Sequence, residues 1–234
     1  MNERDWLTTS DALAQLDHLF PIRGLDSVEP QSRSSRLYLL GCARQAWDRL
    51  PAVCRAVVAV AERVYYGRTV DRGLRKAVYE LAEELTHCRG EADRVNAIGR
   101  TLAGLGHADA TAVWVEADMD PDQWTGFAYL TYFPFSRLTP HFRRVPAELH
   151  SADLVREVFG NPFALQPEFN AGWRTENVVQ LASHAHATGD FSALAALADA
   201  LEEAGCDRQD IFDHFRNGGA HIRGCWALEL VLRE

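Results

Sequence analysis

The stretch "FSALAALADALEEAGC", residues 191–206, shows how this chain folds. Its apolar residues Leu194, Leu197, Ala198 and Leu201 recur at intervals of three and four, which places them on one face of an α-helix. Asp190, directly before the stretch, is a residue type that caps helix N-termini. The stretch therefore predicts an amphipathic helix whose leucine stripe is buried against other helices.

The same helical spacing recurs on both sides of this stretch. It is found in residues 11–20, 36–50, 51–67, 70–88, 91–106, 148–160, 207–219 and 222–232, and in a segment that begins at Thr175. These segments predict an all-α fold, in which about nine to ten helices stack as hairpins in a single domain. The N-terminal helical half is predicted at residues 1–108 and the C-terminal helical half at 147–234.

Residues 109–146 lack this periodicity and are rich in aromatic residues. "TAVWVEADM", residues 111–119, fits either a helix or a strand, and several prolines follow it. Long irregular segments in compact domains need anchoring side chains. We therefore predict an irregular but ordered segment, in which Trp124, Phe127 and Tyr132 are buried.

Composition limits the classes of partner and the compartment. The formal net charge is -9, and no basic face of the kind that binds nucleic acid is evident. No apolar run has the length of a membrane span. The 5 cysteines include no Cys-x-x-Cys pair, which indicates reduced thiols. We predict a soluble cytoplasmic protein that binds neither nucleic acid nor membrane.

A polar cluster near the C-terminal end of the sequence is the candidate functional site. "HFRNGGAHIRGCWALELVL", residues 214–232, contains its members, which are His214, His221, Arg223, Cys225 and Trp226. Cys206 with His214, His221 and Cys225 would supply ligand types suited to zinc, but at spacings that known zinc motifs do not use. A nucleophilic Cys225 with His221 as base is a further alternative. The sequence favours a structural cluster without metal, cofactor or catalytic residue.

The structural interpretation makes specific predictions about contacts. Arg223 is placed in the first turn of the last helix, where the helix dipole disfavours a cation, so it needs an acidic partner. We predict that His221 and Arg223 bind acidic residues of the preceding long helix (Asp199, Glu202 and Glu203) and that Trp226 is buried beneath them. His184 and His186 point about 200° apart on a helix and are predicted at the surface or its edge.

Three segments of the sequence resemble an all-helical domain family of bacterial proteins, common in genomes rich in repeat-companion-domain proteins. They are "FGNPF" (159–163), "LADALEEAGC" (197–206) and "HIRGCWALELVL" (221–232). The starts "WLTTSD" (6–11) and "SSRLYLLGCARQAWDRL" (34–50) are also similar, although relatives often carry paired cysteines where this chain has Cys42 beside Ala43. The resemblance covers most of the chain outside 109–146. It implies an all-helical fold and no particular chemistry.

Two functions are compatible with these patterns. The first is a non-catalytic helical interaction or adaptor module whose partner is another protein. The alternative is an enzyme that depends on a small ligand or a metal and works at the C-terminal cluster. An enzyme requires a convergent polar pocket with perturbed ionisable groups, whereas an interaction module requires an exposed apolar patch.

Overall fold

A computed structural model describes residues 1–22, 33–45, 47–49, 55, 58, 59, 62, 66, 150–164, 169–217, 219 and 221–233. The α-helices in these parts of the chain are α1 (Glu3–Thr8), α2 (Ala12–Ile22), α3 (Arg33–Gln45), α4 (Ala152–Phe159), α5 (Glu176–Thr188), α6 (Leu194–Glu203), α7 (Gln209–Arg216) and α8 (Trp226–Leu232). Every regular element of the described residues is helical, which confirms the all-α class. The prediction for 109–146 lies outside them.

The chain divides into two compact units. The first unit combines residues 1–19 with 151–234, and the second consists of residues 20–150. These limits differ from the predicted divisions at residues 108 and 146. A single domain of nine to ten helices therefore stays a prediction.

Two helices start at capping side chains, and one of these, Thr175, was predicted to begin a helix. The Thr175 hydroxyl accepts a hydrogen bond from the Val178 amide at the start of α5, and an Asp11 carboxylate oxygen accepts one from Ala14 at the start of α2. Such caps satisfy amides that have no partner within the helix. Asp190 caps a short 3₁₀ turn that leads into α6, rather than α6 itself. Helix starts are thus encoded locally.

The core of the first unit is built from the predicted apolar stripes. Leu194, Leu197, Ala198 and Leu201 of α6 are all buried, as the spacing predicted. They form one cluster with apolar residues of α5, α7 and α8 (Val178, Ala182, Ala185, Ile211, Phe212, Phe215, Leu228 and Val231). Complete burial of one such leucine contributes about 1.5–3 kcal/mol. These four helices are therefore the rigid support for the site described below.

Helix α1 and residues 12–19 of α2 belong to the same unit and contact α4 or the residues that follow it. Trp6 of α1 is fully buried, and its carbonyl oxygen accepts hydrogen bonds from Nη1 of Arg156 and Nε2 of Gln15. The His18 and Phe163 rings stack with their centroids 5.2 Å apart. The start of the chain is thus held to α4 over a sequence separation of 150 residues.

The second unit is described in part. Tyr38, Leu40 and Cys42 of α3 are buried, and the Tyr38 hydroxyl lies 2.8 Å from Nδ1 of His150. Burial raises the pKa of the Cys42 thiol to about 12, so this thiol stays protonated at neutral pH. Cys42 is therefore an inert core residue.

Gly160 ends α4 in a conformation that needs glycine. Its φ is 69° and its ψ is -163°, a region that other residues rarely adopt. A Cβ atom at this position would lie 3.3 Å from the Trp226 ring. The sequence "FGNPF" therefore contains a glycine at the one point where α4 meets the start of α8.

We expect Gly160→Ala to destabilise the protein by about 1–3 kcal/mol because of the strained backbone and the contact with Trp226. Chemical denaturation measures this difference in the free energy of unfolding. Gly219→Ala is the control, since a Cβ there meets nothing within 4 Å. Equal stability of the two variants would contradict the packing of Trp226 on Gly160.

Candidate metal centre

Four side chains from distant parts of the sequence converge in the first unit. They are Glu157 of α4, His214 of α7, and His221 and Cys225, which lie between α7 and α8. One potential ligand atom from each residue lies within 4.8 Å of those from the other three. All three residue types, glutamate, histidine and cysteine, are common metal ligands.

Local structure determines where each side chain points. His214 lies on the side of α7 that carries Ile211 and Phe215, both buried, and therefore faces inward. Glu157 lies next to the apolar stripe of α4 and is itself buried. The Cys225 amide donates a hydrogen bond to the Ile222 carbonyl at 3.0 Å, which closes a tight turn before α8. That turn brings the thiol of Cys225 back towards α7.

Two of the contacts share one nitrogen atom. Nε2 of His214 lies 2.9 Å from Sγ of Cys225 and 3.4 Å from Oε2 of Glu157. An imidazole nitrogen carries at most one proton, so it can donate a hydrogen bond to only one of these atoms. Such convergence of nitrogen, sulfur and oxygen on one point is typical of metal ligands.

His221 joins the group through a contact with the second carboxylate oxygen of Glu157. Its Nδ1 lies 3.1 Å from Oε1 of Glu157, and the exposed fractions of the two side chains are 6% and 8%. Its Nε2 is buried and has no hydrogen-bond partner among the described residues.

Burial favours the neutral forms of Cys225 and His214. Burial raises the pKa of the Cys225 thiol well above its usual value, and the charge of Glu157 adds to this effect. The amides of Leu228 and Ala227 act in the opposite direction on Cys225. Burial also lowers the pKa of His214, against the opposing charge of Glu157. A neutral imidazole is the form of histidine that binds metals.

The arrangement does not match that of a catalytic cysteine triad. In a triad the base contacts the nucleophile with one ring nitrogen and the orienting carboxylate with the other. Here Cys225 and Glu157 meet the same nitrogen of His214. Cys225 is also completely buried, so a substrate has no access to its thiol. The geometry therefore favours ligation over nucleophilic catalysis.

The distances are close to those of a tetrahedral zinc site. Zinc bond lengths of about 2.0–2.1 Å to nitrogen and 2.3 Å to sulfur place ligand atoms about 3.3–3.6 Å apart at tetrahedral angles. The observed contacts of 2.9, 3.1 and 3.4 Å lie near this range. The four ligand atoms lie within 4.8 Å of one another, so the side chains would have to move together to surround one ion.

The structure brings together three of the four residues in the zinc set that the sequence suggested. His214, His221 and Cys225 converge, but Cys206 is not in the group, and Glu157 stands in its place. Cys206 is buried near the C-terminal end of α6, where burial raises the pKa of its thiol. Sequence reasoning missed Glu157 because nothing local separates it from the surface carboxylates on other helices.

The remaining members of the predicted cluster surround the group. The Trp226 ring packs 5.3 Å from the His214 ring and is partly rather than fully buried. Arg223 lies in a turn before α8, which corrects its predicted place in the first helical turn. Its guanidinium group lies beside Gly189, at the C-terminal end of α5. A cation at that helix end is favourable.

The predicted acidic partners bind elsewhere. Asp199 and Glu202 of α6 both accept hydrogen bonds from Nη2 of Arg216, the last residue of α7. The carboxylate partner of His221 is Glu157. The predicted ties between His221 and α6 were therefore wrong, because Arg216 already occupies these carboxylates.

His186 is another correction. It was predicted at the surface or its edge, but it is buried, and its Nε2 lies 3.5 Å from Oε1 of Glu229 in α8. His184, two residues earlier, is exposed. The two side chains point in opposite directions, as expected. His186 is buried because α8 packs over it.

No family model, curated protein or solved structure matches the chain. The resemblance to the all-helical bacterial family therefore stays a prediction. Among the described residues, no helix is both long and apolar enough to cross a bilayer. The function must be argued from the geometry of the four converging side chains.

Proposed function

We propose that this chain is a non-catalytic helical protein that binds one zinc-type metal ion through Glu157, His214, His221 and Cys225. The observation that supports it is the convergence of sulfur and carboxylate oxygen on a single nitrogen of His214, whose side chain is partly buried. Sequence reasoning favoured a cluster without metal. The presence of Glu157 changes that interpretation, because it supplies a fourth ligand where Cys206 could not.

The donor atoms indicate the class of metal. One thiolate, two imidazoles and one carboxylate form a set suited to zinc and related transition metals. Magnesium and calcium prefer sites built from oxygen atoms alone. The low exposure of the side chains also disfavours a hydrated ion, since Mg²⁺ usually keeps several of its waters.

The number of ligands favours a structural role over catalysis. Structural zinc sites have four protein ligands, whereas catalytic sites have three and keep one position for water or substrate. Four side chains converge here, so a tetrahedral ion would have no open position. This favours the non-catalytic class over the metal-dependent enzyme. That the partner is another protein stays a prediction.

Elemental analysis of the purified protein tests the proposal. The chain, freed of metal with a chelator, incubated with Zn²⁺ and dialysed, should retain about one zinc ion. A large excess of Mg²⁺ over Zn²⁺ should not displace it, because Mg²⁺ prefers oxygen ligands. Failure to retain zinc, or displacement by Mg²⁺, would contradict the proposal.

A further inference from the structure

Helix α8 is short, so its stability depends on contacts with the rest of the first unit. It contains 7 residues, and isolated helices shorter than about 12–15 residues are marginal in water. Its buried residues Ala227, Leu228 and Val231 pack into the core of the first unit. The order of this helix therefore depends on its tertiary contacts, including those at its two ends.

The C-terminal end of α8 is held by hydrogen bonds from Arg174. Nε of Arg174 donates a hydrogen bond to the Val231 carbonyl at 2.9 Å, and Nη2 donates one to Leu230 at 3.2 Å. The Phe169 ring lies 4.7 Å from this guanidinium group and covers it. A cation at a helix C-terminus also interacts favourably with the helix dipole. This end is held by protein groups alone.

The N-terminal end has a different anchor. Cys225 precedes α8, and no side chain caps the helix there by a hydrogen bond. The polar contacts that hold this end to the unit include those of Cys225 with His214 and of His221 with Glu157, beside the packing of Trp226 on Gly160. The four residues of these polar contacts are the proposed metal ligands. A metal ion would convert a set of buried polar contacts into covalent-like coordination that joins α4, α7 and the start of α8.

We infer that metal occupancy controls the docking of helix α8. The ion would hold the N-terminal end of α8 reversibly, whereas hydrogen bonds from Arg174 hold its C-terminal end. This inference rests on the proposed metal binding. When α8 leaves its place, Cys225 and His221 move with it, and the ion loses two of its four ligands. Opening of α8 therefore requires release of the metal, so free zinc opposes opening by mass action.

Amide hydrogen exchange at a series of free Zn²⁺ concentrations tests the inference. If opening releases the ion, exchange of the α8 amides should slow in proportion to free zinc, by about a hundredfold at 100 times the Kd. Amides of α5 and α6, which supply none of the ligands, should show no such dependence. Measurement of both regions in one sample makes α5 and α6 an internal control.

Arg174→Gln is the matched variant, because it weakens the hydrogen bonds at the C-terminal end of α8 and changes no proposed metal ligand. Exchange of the α8 amides should be faster in this variant at every zinc concentration, with the same dependence on zinc. If all helices of the unit respond equally to zinc, the ion stabilises the whole unit and the inference fails. Bound zinc without any change in α8 also overturns it. If no zinc binds, the proposed function itself fails.

Discussion

Replacing Cys225 by serine should weaken zinc binding by more than about a hundredfold. Changes to residues that merely orient a ligand already cost 10–100-fold in affinity, and this substitution removes the only sulfur ligand. Competition titration against a chromophoric zinc chelator measures the Kd. The volume of the side chain changes little, so loss of affinity reports ligation rather than unfolding.

Cys206→Ser is the control for this prediction. Cys206 is also a buried thiol of the first unit, but it lies outside the four-residue group. Its replacement should leave the zinc affinity within about threefold of the unmodified chain, as expected for a residue that is no ligand. Equal losses in the two variants would show that zinc binding does not depend on the proposed geometry.

Trp6→Ala should reduce the free energy of unfolding by about 3–5 kcal/mol. Trp6 has an exposed fraction of 0%, and its removal leaves a large cavity between α1 and α4. It also loosens the backbone whose carbonyl accepts hydrogen bonds from Arg156 and Gln15. Urea denaturation followed by circular dichroism measures the difference.

Leu7→Ala is the matched control, since Leu7 is the next residue of the same helix and is 51% exposed. We expect its stability to change by less than about 0.5 kcal/mol, as for surface substitutions in general. Similar small changes in both variants would mean that α1 does not pack against α4, and that residues 1–19 do not belong to the first unit.

The helices were predictable because their signals are local. The stripe of Leu194, Leu197 and Leu201 and the cap at Thr175 involve residues within a few positions of each other. Spacing and capping chemistry are therefore sufficient to locate them. The position of α1 could not be found in this way. Its contact with Arg156 spans 150 residues, and no pattern within either segment encodes it.

The candidate site was half predictable for the same reason. His214, His221 and Cys225 lie within 12 positions of one another and were recognised as a cluster. Glu157 is separated from His221 by 64 residues, and its neighbours give it the appearance of a helix-surface carboxylate. Its burial follows from how α4 packs on α7 and α8. That tertiary choice has no signature in the residues around Glu157.

The ion pairs of Arg216 show a second limit. Arg216 and Arg223 stand on either side of the Gly218–Gly219 break, and the acidic face of α6 could in principle bind either. In the structure Asp199 and Glu202 pair with Arg216, because α7 packs alongside α6 and ends at Arg216. The backbone path after two glycines decides the position of Arg223. Helical periodicity does not apply to such a path.

X-ray absorption at the zinc edge tests the central claim most directly. The claim is that one ion is held by Cys225, His214, His221 and Glu157 together. The protein loaded with about one equivalent of zinc should show one sulfur at about 2.3 Å and three nitrogen or oxygen neighbours at about 2.0–2.1 Å. The sulfur signal should vanish in Cys225→Ser and persist in Cys206→Ser. A shell of nitrogen and oxygen alone in the unmodified protein, or a sulfur signal that survives Cys225→Ser, would contradict it.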